Sequence, residues 1–375
     1  MRVSNFCTSL ILLPTLLLTL SGLSRAQSRD LNPLLRDQKP GTWLRLPSAP
    51  GPAPRIHDHA GGVIDPTTST LYFFGSDTHG EQWNNEVWSY SPVTMRWARS
   101  YPEDPPSSYR YQDGRKTTTT GRPWAMHTFA LNAWDPVGRR LVVGAWQMHY
   151  DLENLPHVTV PRGAGESWWQ YHPASNTWTA ALPSPKLGLG HLCYVPPLQR
   201  IIGFNQDNHP ITLYDPERRT FHAFPAFSGP APDGYTLKSV YDSRRGRILL
   251  ISWDPGPNVW AFDVGRMQWS NLQVANRPPG RIYGSWDYDQ SADAVVALWP
   301  DDPQGGFSND SGKSRTFVVD LGQNAYREVR ADPAPPYTGM SYRVLYDPRH
   351  RVTLAVAGSA VWSFKAPALA GNRGF

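Results

Sequence analysis

The stretch WSYSPVTMRW, residues 88–97, sets two strand-like runs on either side of a Ser-Pro turn. Period-2 alternation marks a half-buried strand, and Ser-Pro starts turns. The pattern returns as WQYHPASNTW (169–178), TLYDPERRTF (212–221), WAFDVGRMQW (260–269) and FVVDLGQNAY (317–326), each closing on an aromatic residue. A second pair of runs precedes each copy, beginning with HAGGVIDPTTSTLYFFGS (59–76). Its equivalents start at residues 127, 191, 237, 283 and 342. Asp-Pro turns join the pair in three of the six units (at 65–66, 135–136 and 347–348), because Pro presets φ and Asp bonds to the backbone nearby. Six units of four short antiparallel strands (a, b, c, d), at intervals of about 45 to 70 residues, predict the blades of a β-propeller.

The sixth unit stops at AVWSFK (360–365), before its strand d. TWLRLP (42–47) supplies a candidate, with Trp43 standing where Trp97, Trp178 and Trp269 stand in other units. An N-terminal strand that completes the last blade closes the ring and removes two sheet edges. A pair of β-sandwiches would need two cores and a linker. The Pro-rich stretches 102–106, 230–232 and 333–336 instead fall between units, where a propeller has connections.

The chain has 375 residues, 37 Pro, 31 Gly and 16 Trp, with a formal charge of +5. The positive charge is scattered and forms no Lys/Arg run, so nucleic acid is not an expected partner. Residues 1–26 read as an export signal: Arg2, an apolar run at 10–20 interrupted by Pro14, and a cut after Ala26. The competing reading is an uncleaved anchor. Cleavage leaves about +3 and a single cysteine, Cys193, hence no internal disulfide. The expected organisation is signal 1–26, linker 27–41, propeller 42–365 and tail 366–375, in a secreted or periplasmic protein with no membrane span after cleavage.

Residues 55–97, RIHDHAGGVID followed by LYFFGS and NNEVWSYSPVTMRW, resemble a kelch repeat. Arg and His open the first strand, a strand ends at glycine, and Asn-Glu-Val-Trp leads to the closing Trp. Later units depart from the pattern, with the family's double glycine single or absent. The resemblance implies an all-β, six-bladed kelch-type β-propeller of the galactose oxidase-like superfamily. It implies no single activity, since kelch propellers serve as ligand platforms, scaffolds, sugar mutarotases and copper oxidases.

In such a ring the a–b and c–d turns share one face, and here they are short. The b–c loops and d–a connections share the other face. They include the long segments 78–85, 101–122, 147–165 and 300–314, from blades 1, 2 and 5. Long loops on a rigid scaffold carry binding or chemistry. Strand a starts on this face and lines the channel. His57, His59, His127 and His191 sit at even offsets from their a–b turn residues, so they share one side of their strands. Lys238, Tyr283 and Arg343 occupy equivalent positions, as do Thr236, Ser285 and Ser341.

Three readings of this set compete. The first is structural: blade-to-blade hydrogen bonds, the use kelch units commonly make of Arg and His here. The second is a polar ligand, most readily a saccharide, with Trp83, Trp124, Trp146, Trp253 or Trp299 stacking on sugar faces. The third is a divalent metal on His57, His59 and His127, with His149, His157 and His191 near. A copper radical oxidase would need a Cys–Tyr cross-link, and Tyr194 points away from Cys193 on its strand. Acid–base chemistry would draw on Asp58, Glu81, Asp113, Asp151, Glu153, Asp207 or Asp301. The chain has no phosphate-binding loop, nucleophile elbow or His-Glu-x-x-His. Asn309-Asp310-Ser311 is a glycosylation sequon. The expectation is therefore an exported propeller that binds a polar ligand, foremost carbohydrate, or another exported protein. The alternative is a saccharide-active enzyme of mutarotase or lyase type, metal-assisted or not.

Overall fold

The computed structural model describes residues 31–52, 54, 56, 59–76, 83–144, 155–161, 167–181, 184–253, 256–301, 313–333, 335 and 342–369. The expected export signal, His57, Asp58, Glu81, Trp146, His149, Asp151, Glu153, the sequon and Ser341 lie outside them.

Six four-stranded antiparallel sheets account for nearly all the described strands. Blade 1 comprises β2 (Gly61–Ile64), β3 (Leu71–Phe74), β4 (Trp88–Ser91) and β5 (Arg96–Arg99). A hairpin of β6 (Tyr109–Gln112) and β7 (Arg115–Thr118) follows in the connection. Blade 2 comprises β8 (Asn132–Asp135), β9 (Arg140–Val143), β10 (Trp168–His172) and β11 (Thr177–Ala181). Blade 3 comprises β12 (His191–Val195), β13 (Arg200–Phe204), β14 (Pro210–Asp215) and β15 (Thr220–Ala223). Blade 4 comprises β16 (Ser239–Asp242), β17 (Arg247–Ile251), β18 (Val259–Asp263) and β19 (Gln268–Asn271). Blade 5 comprises β20 (Trp286–Asp289), β21 (Ala294–Pro300), β22 (Ser314–Asp320) and β23 (Ala325–Val329). In blade 6, β24 (Val344–Asp347), β25 (Val352–Ala357) and β26 (Ala360–Lys365) are joined by β1 (Thr42–Arg45). Thr42 pairs with Lys365 and Arg45 with Trp362, so the N-terminal strand closes the ring as its residues predict. Each strand a touches the strands a of both neighbouring blades, which makes the inner circle continuous.

Residues 31–41, within the expected linker 27–41, pack against the ring. The short helix α1 (Pro33–Arg36) buries Leu35 in the core. Asn32 accepts its place between blades 6 and 1: its backbone N–H donates to His350 Nε2 (3.1 Å) and its Nδ2 to Pro92 O (2.7 Å). Gln38 Nε2 donates to Ser363 O (2.8 Å).

The recurrent residues of the sequence hold the ring in two ways. Aspartates ending strands cap their turns: Asp65, Asp135, Asp242, Asp289 and Asp347 each accept a backbone N–H two residues on, and all are buried. The aromatics at the start of strand d reach back toward the preceding blade. Trp97 Nε1 donates to Ser359 O (3.0 Å), Trp178 to Tyr101 Oη (2.6 Å), Trp269 to Asn208 O (2.9 Å) and Trp43 to Thr316 Oγ1 (2.8 Å). Tyr326 Oη donates to Pro257 O (2.8 Å). Blade 3 has Phe221 there, which has no donor and packs on Tyr214 and on Trp168 of blade 2. The core is therefore a set of apolar layers between successive blades.

Candidate functional site

Most channel-mouth residues singled out in the sequence bind the protein to itself. His59 and His127 stack with ring centroids 4.1 Å apart and both meet Phe129, which in turn meets Tyr342. Among the described residues no group of three His, Cys, Asp or Glu side chains comes together; the third member of the expected metal set, His57, lies outside them. Arg343 is buried, and its Nη1 donates to Ile56 O (3.3 Å). Lys238 crosses from blade 4 to donate to Trp286 O (2.8 Å) and Val344 O (2.6 Å), and pairs with Asp287 (3.3 Å). Burial pushes the Lys238 ammonium below its ordinary pKa, and Asp287 opposes that shift.

Two tryptophans expected to meet a ligand are enclosed instead. Trp124 is fully buried under the β6–β7 hairpin, its Nε1 donating to Thr117 O (2.6 Å). Trp299 is fully buried and donates to Pro279 O (2.7 Å). Their connections, having folded over, cover them. Trp83 is half-buried and packs beside Tyr109 and Trp124. Of the weighed carboxylates, Asp113 sits at the hairpin tip with Arg115 (3.2 Å), and Asp301 is exposed.

A recess of about 760 Å³ opens on the long-loop face where blades 3, 4 and 5 meet. Trp253, at the end of strand b of blade 4, forms its inner wall. The Arg281 guanidinium lies over the Trp253 ring, 5.1 Å from the centroid. Tyr235 and Tyr283 meet that ring edge-on, at 4.7 and 5.1 Å. Gln206, Asp207, His209 and Asp233 supply the polar rim. Among the described residues no hydrogen bond or ion pair engages the Arg281 guanidinium or the carboxylates of Asp207 and Asp233, although Asp207 N–H donates to Asn205 Oδ1 (3.1 Å). Tyr235 is 39% exposed, one of few large apolar side chains so presented.

The layer beneath explains why the recess has this shape. Asn208 Nδ2 donates to Pro232 O and Gly234 O, both at 2.8 Å, and so draws the 230–235 loop over Trp253. Its Oδ1 then accepts from His191 Nε2 (3.1 Å), which leaves His191 Nδ1 to accept from Ser239 Oγ (2.7 Å). Burial drives the His191 pKa down to about 3, so the ring is neutral. Gly234, at φ +115°, has no room for a side chain: a Cβ would stand 2.9 Å from Trp253 Cδ2. His191 and Tyr283, predicted as ligand contacts, thus support the recess, and Trp253 and Asp207 line it. Gln206, His209, Asp233, Tyr235 and Arg281 were missed. Loop length drew attention to blades 1, 2 and 5, and nothing in a single unit marks a shorter Pro-Gly connection as a wall.

No protein-family model and no curated protein matches this sequence. The kelch resemblance of the first unit thus stands on its residues alone, and the six-bladed ring on the structure. Among solved structures, the chain is similar to a protein of unknown function from Bacteroides thetaiotaomicron, at 10% identity over 81% of this chain and 68% of that one, with a TM-score of 0.48. It is also similar to TolB from Acinetobacter baumannii (10%, 82% and 63%, 0.44). A third is an auxiliary nutrient binding protein from Bacteroides ovatus (9%, 81% and 68%, 0.43). These likenesses bear on neither ligand nor site. Among the described residues no helix is long and apolar enough to cross a membrane.

Proposed function

We propose that this chain is an exported binding protein that takes a polar ligand, a saccharide, in the recess between blades 3, 4 and 5. One observation carries the reading: Arg281 is held on Trp253 in a recess that Asp207 and Asp233 also line, and among the described residues no hydrogen bond or ion pair engages the guanidinium or either carboxylate. Guanidinium donors and carboxylate acceptors lining one recess match hydroxyls, which both accept and donate. Tyr235 offers an exposed ring for the apolar face of a sugar. Mixed signs exclude a site built for one strong charge. Export rests on the apolar run and small-residue cut of residues 1–26.

The test is a glycan-binding screen of the protein, repeated with Arg281→Gln and with Asp233→Asn. A charged hydrogen bond contributes about 1.5–3 kcal/mol, so each variant is expected to lose about 10- to 100-fold in affinity. A glycan bound equally well by all three proteins would place the site elsewhere.

A further inference from the structure

A second groove, of about 680 Å³, lies where strand c of blade 4 begins and strand d gives way to the connection with blade 5. Its polar lining is Asn258, Asn271, Gln273, Asn276 and Arg277. Asn258 is only 3% exposed, and its Oδ1 has no partner among the described residues. A buried, unanswered carbonyl costs stability, so the floor of the groove carries an unmet acceptor just beneath its lining. The floor is rigid. Ala275 N–H donates to Asn324 O (2.8 Å) and Ala275 O accepts from Tyr326 N–H (2.9 Å), which tie the connection to blade 5. Asn271 Oδ1 accepts from Gln273 N–H (2.7 Å).

The groove and the recess are built on the same two segments. Trp253 and Asn258 lie on the two arms of one hairpin, where Ser252 N–H donates to Asn258 O (2.9 Å). Adjacent strands are about 5 Å apart. Arg277 and Arg281 are four residues apart on one connection, a span of at most about 14 Å. A ligand of several units could touch both without bending round a blade.

We propose that the groove is a second subsite of the same site, and that the ligand is a linear neutral oligosaccharide lying along the seam between blades 4 and 5. This rests on the saccharide reading of the recess. Asn271, Gln273 and Asn276 provide amide donors and acceptors, Arg277 adds donors, and no carboxylate lines the groove, which suits hydroxyl and acetamido groups repeated along a chain.

The experiment is titration calorimetry with two series: N-acetylglucosamine against tetra-N-acetylchitotetraose, and glucose against cellotetraose. The tetramer of the series that binds is expected to bind at least tenfold more tightly than its monomer. The double variant Gln273→Gly/Asn276→Gly is expected to remove most of that gain and leave monomer affinity within twofold. Both positions have positive φ (49° and 56°), so glycine is tolerated there. Asn258→Leu is a second probe, accepted only where the melting curve is unchanged. A tetramer no tighter than its monomer, or a gain that survives in the double variant, overturns the second subsite and leaves the recess standing. No binding in either series overturns the saccharide reading, and this inference with it.

Discussion

Arg281 gives up much of its rotamer freedom before any ligand arrives, because the guanidinium already lies on Trp253. Its donors are fixed in a plane, which an ammonium cannot reproduce. Arg281→Lys is therefore expected to bind a recess ligand nearly as poorly as Arg281→Gln, with an unchanged melting temperature; recovery of wild-type affinity by lysine would show that only charge is read. One layer below, His191 is neutral because it is buried. Its folded pKa of about 3 lies below the ordinary 6.5, so the unfolded chain takes up a proton first as pH falls. Stability should then decline below about pH 6.5, by about 1.4 kcal/mol per pH unit from this group, until the folded state also titrates. Urea midpoints of wild type and His191→Gln between pH 7 and pH 4 check this: the wild type is expected to fall more steeply. Parallel curves would mean that His191 is not the titrating group.

At the scale of strands, the aromatic at the start of strand d does two jobs that substitution can separate. Trp269 is buried against Phe204 and Phe262 and also donates to Asn208 O. Trp269→Phe keeps most of the packing and leaves the carbonyl unanswered, an expected cost of about 1–3 kcal/mol. Trp269→Ala removes the packing too, at about 3–5 kcal/mol. Equal losses in chemical denaturation would show that the hydrogen bond is the whole effect. Blade 3 already uses Phe221, with ring stacking in place of the donor. The long connection of blade 1 shows another side of element-level folding. Its β6–β7 hairpin brings Thr117 O and Arg110 O to Trp124 Nε1 and encloses the ring. Length alone had marked this segment as a ligand loop, but it serves as a lid on its own core.

For the molecule as a whole, closure is one noncovalent joint between β1 and β26, helped by α1 and Gln38. No disulfide occurs among the described residues; Cys193 is free and buried, and burial raises its pKa to about 12. A variant lacking residues 1–47 would leave β26 as an unpaired edge facing solvent. It is expected to unfold at lower denaturant with a broadened transition and to self-associate in size-exclusion chromatography. A monomer with wild-type cooperativity would show that five and three-quarter blades suffice. The faces also divide by role. Turn-capping aspartates and their arginines, such as Asp242 with Arg245 and Arg247, occupy the short-turn face. The recess and groove occupy the other.

By itself, the sequence determined the repeat, the strand order, the turn chemistry and the closing strand. These follow from local spacing: period-2 alternation, Asp and Pro at turns, and one aromatic at a set place in each unit. Only the tertiary structure decided which polar and aromatic side chains face outward. Trp253 and Trp299 sit at the same end of strand b in successive blades, yet Trp299, like Trp124 in its connection, is fully enclosed while Trp253 borders a recess. Arg281 reaches Trp253 across 28 residues, and His191 reaches Ser239 across 48. Such pairings depend on how neighbouring blades rotate and how connections fold over them, and no local pattern encodes either.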